Sequence, residues 1–138
     1  MKQVFVDTNG WIALSSKRDQ FHKIALQTNQ RLLKSGCQYI TTNYVLDETY
    51  TSLASRVGHF AAVDFGEKVR ASRITTIIHI TKEIEEESWQ LFKKYSDKQF
   101  SFTDCTSFVV MNRMNLKEAF TNDRHFQQMG FKILIQPK

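Results

Sequence analysis

Apolar residues recur along this chain in two rhythms, and the alternation between them sets out the elements. Val4, Phe5 and Val6 make a short β-rich run. Residues 8–16 then read as a helix. Residues 19–35 repeat Phe21, Ile24, Ala25 and Leu32 at helical spacing and stop at Gly36, a common helix terminator. Residues 38–41 read as a second strand. Asn43 is a candidate cap for a helix that carries Leu46, Leu53 and Val57 and ends at Gly58. Another helix is expected over residues 60–72. Residues 75–80, with Ile77, Ile78 and Ile80, read as a buried strand. Thr81 caps the next helix, residues 103–115 are helical again, and residues 118–121 form a fourth strand. A short helix over 124–129 leads to a fifth strand over 131–135. Short apolar strands that alternate with helices predict an α/β fold, with a parallel sheet covered on both faces.

Composition narrows this little. A length of 138 residues fits one domain, residues 1–138, and five Gly with one Pro leave no room for a long linker. The formal charge of +5 permits a polyanionic partner without requiring one. Cys37 and Cys105 lie far apart and have no zinc-type spacing, so they read as reduced thiols of a cytoplasmic protein. The run Val4-Phe5-Val6 is too short for the apolar region of a signal peptide, and no segment has the ~20 apolar residues of a membrane helix.

The chemistry lies in the acids. In an open parallel sheet, ligands sit beyond the carboxyl ends of the strands. Asp7 directly follows the first strand, and Asp123 follows the fourth after Asn122. Glu48 lies in the helix after the second strand, and Asp104 lies in the first turn of a later helix. Gathered carboxylates repel one another unless a cation sits between them. Mg²⁺ or Mn²⁺, which take oxygen ligands, are the natural residents, and such a site activates water against a phosphodiester. Each acid also has a plainer reading. Asp7 and Asp123 stand where helix caps stand, Ser101 to Asp104 matches a capping box, and Glu48 beside Asp47 reads as solvated.

Local wording adds a family. Val4-Phe5-Val6-Asp7-Thr8-Asn9, continuing Trp11-Ile12-Ala13-Leu14, resembles the opening of PIN-domain ribonucleases. Asn43-Tyr44-Val45-Leu46-Asp47-Glu48 resembles their second acidic motif, and Ser101-Phe102-Thr103-Asp104-Cys105 the third. Ala119-Phe120-Thr121-Asn122-Asp123-Arg124-His125-Phe126 resembles the fourth. The resemblance covers essentially the whole chain and points to the VapC toxins of toxin–antitoxin pairs. It implies a three-layer α/β/α domain around a central parallel sheet of about five strands. It implies a metal-dependent endoribonuclease whose Asp7, Glu48, Asp104 and Asp123 bind Mg²⁺ or Mn²⁺ and act in catalysis. Thr8, Asn9, Thr121 and Asn122 match flanking polar positions. The implied partners are RNA, a cognate antitoxin protein and a second copy of the chain in a homodimer.

Lys17, Arg18, Lys98 and Arg124 fall in loops or at element ends, where they are candidates to hold RNA phosphates or to be ordinary surface charge. The run Glu83, Glu85, Glu86, Glu87 reads as a solvated face at a helix N-terminus. His22, His59, His79 and His125 show no metal spacing; His125 is a candidate RNA contact near the site, with packing or capping the plainer reading. Phe100 and Phe102 are core residues or candidates to stack on a base. Two other functions are weaker. A phosphoacceptor receiver domain needs an acidic pair after the first strand, and this chain has only Asp7 there. A non-catalytic PIN-like binding module is expected to lack some of the acids, and all four are present.

Overall fold

Burying an alternation of short apolar strands and amphipathic helices requires a sheet with helices on both faces. The computed structural model, which describes residues 2–136, has that form. The elements run β1 (Gln3–Val6), α1 (Thr8–Ser15), α2 (His22–Lys34), β2 (Gln38–Thr42), α3 (Asn43–Arg56) and α4 (His59–Ala71). They continue with β3 (Thr75–Ile78), α5 (Lys82–Lys94), α6 (Phe102–Arg113), β4 (Glu118–Phe120), α7 (Arg124–Gln128) and β5 (Lys132–Ile133). All strand pairings are parallel, in the order β3-β2-β1-β4-β5. α1 to α4 lie in the connections that run from β1 to β3, and α5 to α7 in those that run back to β4 and β5; right-handed crossovers in opposite directions occupy opposite faces of a sheet. The chain reverses direction across the sheet between β1 and β4, the place where open α/β sheets leave a crevice.

The core is aromatic on the α6 side. Phe108 meets Phe100 and Phe126 edge-on and stacks on Phe131. On the other side Trp11 packs edge-on against Tyr39 and Phe65, while its indole N–H donates to Thr41 Oγ1 at 3.1 Å. Gly10 holds the two halves close. A Cβ there would overlap the carbonyl oxygen of Phe120 and come within 2.7 Å of the Phe120 ring, so α1 rests directly on the end of β4.

Four local expectations change. Thr42, not Asn43, caps α3, accepting from Val45 N–H at 3.0 Å; Asn43 Oδ1 instead accepts from Ile80 N–H at 2.8 Å and ties α3 to the end of β3. The helix expected over 19–35 begins at His22, because the Asp19 carboxylate takes the Phe21 N–H at 2.8 Å and forms a turn. β3 is an edge strand with no fully buried residue, because only β2 pairs with it. β5 is Lys132–Ile133, shorter than the 131–135 expected.

Candidate active site

Asp7 is set at the carboxyl end of the central strand. Asp7 is 4% exposed, and Thr121, immediately after β4, donates its hydroxyl to Asp7 Oδ2 at 3.0 Å. The same Thr121 Oγ1 accepts from the Asp123 N–H at 3.1 Å. One hydroxyl thus fixes both strand-end acids. Asp7 stands at the start of α1 but makes no side-chain cap, so capping does not explain it. Asp123 does cap α7, accepting from His125 N–H at 2.9 Å.

Asp104 completes a capping box. Ser101 Oγ accepts from the Asp104 N–H at 2.9 Å, and Asp104 Oδ2 accepts from the Ser101 N–H at 3.1 Å. An exposed cap would end the matter, but Asp104 is only 8% exposed. Glu48 comes from α3, where Thr8 donates its hydroxyl to Glu48 Oε1 at 2.8 Å. Asp47 beside it is exposed. The four acids of the sequence motifs therefore sit at one edge, close enough for their charges to act within the group. Burial, then the nearby Asp104 charge, pushes the Asp7 carboxyl from 3.8 up to about 7, and Asp123 adds to the rise. Burial also raises Asp104, with Asp123 and Glu48 adding to the rise and the Ser101 N–H and His125 opposing it.

Among the described residues no Lys or Arg forms an ion pair with these four acids. His125 enters instead. Its Nδ1 lies 3.3 Å from Asp104 Oδ2 and 3.3 Å from Asp123 Oδ1. That nitrogen is shielded from solvent yet makes no aligned hydrogen bond. Asp104, Asp123 and His125 offer ligand atoms within 4.8 Å of one another. Crowded oxygen donors with no Lys or Arg partner among the described residues, beside a buried nitrogen that makes no aligned hydrogen bond, fit a divalent cation.

The remaining candidates divide. Thr8 and Thr121 bond to site acids, whereas Asn9 is exposed and Asn122 half-buried, and neither side chain forms a hydrogen bond among the described residues. Arg124 is exposed at the first position of α7, and Lys17 and Arg18 are exposed in the turn after α1. Lys98 is drawn to Asp97 at 3.7 Å. Phe100 is buried, with its ring edge-on to His125; Phe102 is half-buried against Tyr44, Trp89 and Phe92. Three of the four acids in the α5 run make surface bonds, Glu85 to Tyr44, Glu86 to Gln90 and Glu87 to Arg113. Cys105 is buried and its thiol is pushed up to about 11, mainly by burial, which removes it as a thiolate nucleophile.

Sequence reasoning did not single out Arg56, and it placed His125 near the site without its two acid neighbours. The capping or packing role expected for His125 understates its place between two site acids. Its signal was its position two residues after Asp123, in the same helical turn. Arg56 lines a groove with Thr8, Glu48, Ser52 and Ser55. Its signal was spacing, since Glu48, Ser52 and Arg56 recur every four residues along one face of α3.

The PIN domain family model matches residues 4–132. Along 136 residues the chain is 36% identical to the 23S rRNA-specific endonuclease VapC20 of Mycobacterium tuberculosis, covering 98% of this chain and 99% of that protein. It is 31% identical over 115 residues to a VapC ribonuclease of Archaeoglobus fulgidus, covering 81% of this chain and 72% of the relative. The crystal structure of the Mycobacterium tuberculosis VapC20, described as a sarcin–ricin loop cleaving toxin, superposes with a TM-score of 0.84 over 93% of this chain and 95% of that one. VapBC2 of Rickettsia felis, bound to a promoter DNA fragment, superposes with a TM-score of 0.68 at 13% identity over 95% of this chain and 96% of that one, a likeness of fold alone. With four acids gathered at the sheet edge, a family match over most of its length and a relative aligned nearly end to end, the chain belongs to the PIN-domain family, among its VapC-type members.

Proposed function

We propose that this protein is a metal-dependent endoribonuclease, the toxin of a toxin–antitoxin pair, with ribosomal RNA as its substrate class. The observation that carries the reading is the convergence of Asp7, Glu48, Asp104 and Asp123 at one sheet edge without a paired Lys or Arg among the described residues. A carboxylate cluster with at most one imidazole facing it costs stability, so it points to a bound cation rather than to packing. The names and likeness of the VapC relatives supply the reaction and the RNA class.

In this reading Asp7, Asp104, Asp123 and Glu48 hold Mg²⁺ or Mn²⁺. Such a cation, when bound, makes its water more acidic and neutralises charge that builds on the phosphate. The protein's part is positional. Thr121 fixes the Asp7 oxygens, and Thr8 fixes the Glu48 oxygens. Glu48, at the wall of the groove, orients the attacking water. Arg56 lies farther along that groove and holds a phosphate away from the cut; Arg124, Lys17 and Arg18 lie at exposed positions suited to the same work. Asn9 and Asn122 serve as outer polar contacts to water or phosphate.

The partners belong to the same proposal: RNA, an antitoxin protein and a second copy of the chain, in the cytoplasm. Phe60, 89% exposed, with Val57 and Val63 on the α3–α4 side, supports a protein-binding surface. No helix among the described residues is long and apolar enough to cross a membrane. The test is cleavage of a 23S rRNA fragment and of total RNA by purified protein. Mn²⁺ or Mg²⁺ is compared with EDTA, beside the Asp7→Asn variant. Metal-dependent cuts absent from the variant are expected. Equal cutting by Asp7→Asn or in EDTA overturns the mechanism.

A further inference from the structure

We infer that His125 is a direct ligand of the site's cation, through Nδ1, and that this nitrogen tunes the site toward Mn²⁺ over Mg²⁺. The inference rests on the metal-site reading above and names a ligand outside its four acids.

The geometry carries it. Nδ1 stands 3.3 Å from Asp104 Oδ2 and 3.3 Å from Asp123 Oδ1. An octahedral cation with bonds of ~2.1 Å holds adjacent donors ~3.0 Å apart. A tetrahedral one with similar bonds holds them ~3.4 Å apart. The spacing from Nδ1 to each oxygen falls between the two, and the three atoms lie within 4.8 Å of one another. A plain hydrogen bond explains the nitrogen less well, because Nδ1 is shielded from water and aligned with neither oxygen. A buried nitrogen in that state is a donor waiting for a third atom.

Each oxygen keeps capacity for that atom. Asp123 Oδ1 accepts one backbone N–H, that of His125 at 2.9 Å, and Asp104 Oδ2 accepts one, that of Ser101 at 3.1 Å. A carboxylate oxygen has two lone pairs, which leaves one on each for a cation. The imidazole is held in place from behind, since the Phe100 ring meets it edge-on at 5.3 Å and Phe100 is buried. The choice of ion follows from donor type. Carboxylate and water suit Mg²⁺ and Mn²⁺ alike, but an imidazole nitrogen favours the later transition ions, with Mn²⁺ the weakest-binding of that series and Mg²⁺ the harder, oxygen-seeking alternative.

The experiment is pulsed EPR on Mn²⁺ bound to the whole protein, prepared once with natural histidine and once with ¹⁵N-histidine. Expected is a modulation from a directly bonded nitrogen that changes from the ¹⁴N to the ¹⁵N pattern with the label. It disappears in His125→Leu, and calorimetry shows Mn²⁺ affinity falling there on the order of 10–100-fold while Mg²⁺ affinity moves far less. His125→Asn, whose amide oxygen can bind Mg²⁺, narrows the gap between the two ions. Bound Mn²⁺ without a histidine nitrogen overturns the inference and leaves the carboxylate site standing. Binding of Mg²⁺ but not Mn²⁺ overturns the inference alone, failure to bind either ion overturns both, and these failures are told apart before any RNA is cut.

Discussion

Thr121 donates its hydroxyl to Asp7 Oδ2 across 3.0 Å, joining residues 114 positions apart in the chain. Thr121 Oγ1 in turn accepts the Asp123 N–H, so one side chain aligns two strand-end acids. Thr121→Val keeps the shape and removes both bonds. It should cost ~1–3 kcal/mol in urea unfolding, because a buried acceptor and donor lose their partner. Metal affinity should fall ~10–100-fold by calorimetry, whereas Thr121→Ser should stay close to the parent. A valine variant that binds metal as tightly as the parent would show that Thr121 aligns nothing.

Asp7 gives a pH dependence with a definite sign. In the metal-free fold its carboxyl is raised from 3.8 to about 7, chiefly by burial and then by Asp104. The folded state therefore holds a proton that the unfolded chain releases. That contribution is fully present below about pH 4 and is lost as pH rises to about 7, at ~1.4 kcal/mol per tenfold difference in proton affinity. In EDTA at pH 8, Asp7→Asn should melt above the parent. The gap should close near pH 4. With saturating Mn²⁺ at pH 8 the parent should regain the lead, since only it gains from binding. A parent that outlasts the variant in EDTA at pH 8 contradicts the burial argument.

Metal capture must expel that proton. Affinity for Mn²⁺ should climb as pH rises through about 7, with proton release measurable in buffers of different ionisation enthalpy. A flat affinity from pH 6 to 8 would mean that Asp7 is already ionised in the free protein.

Gly10→Ala isolates a close approach. Alanine is favoured over glycine in a helix by ~1 kcal/mol, yet here its methyl would overlap the Phe120 carbonyl. The variant should be destabilised by ~1–3 kcal/mol and lose metal affinity, because α1 cannot back away from β4 without moving Asp7. A neutral or stabilised Gly10→Ala would mean that the helix tolerates a shift that the site does not feel.

Arg56→Ala should leave metal binding unchanged and weaken RNA binding. Its salt dependence should be shallower by ~0.7 in log–log slope for one lost single-strand phosphate contact. An unchanged slope removes Arg56 from the RNA path.

The acids were legible because their chemistry follows from position: Asp7 and Asp123 end strands, and sheets gather such ends. Asp104 reads in sequence as a capping box and is one; what the pattern does not carry is its burial, which arises from packing around α6. His125 was hidden for a related reason. The aim of Nδ1 depends on the Phe100 ring behind it, twenty-five positions away, and no local spacing records that. Thr42 and Asn43 are both good caps, and the choice fell to whichever was free, Asn43 being occupied by the Ile80 amide. The apolar run Ile77, Ile78, Ile80 suggested a buried strand. It lies at an edge because strand order is set by pairing partners across the whole chain.

β1 lies between β2 and β4, and its C-terminal acid meets residues contributed by the last quarter of the chain. Contacts of such long range form late, after the intervening loop has closed. Until β4 docks, Asp7 has no Thr121 and no Asp123, and a chain that holds only the first three strands carries two of its four acids. On the proposed function, the order of assembly is then a safeguard: a nuclease aimed at ribosomal RNA is harmless through most of its own translation and becomes armed only when its final strands close the sheet.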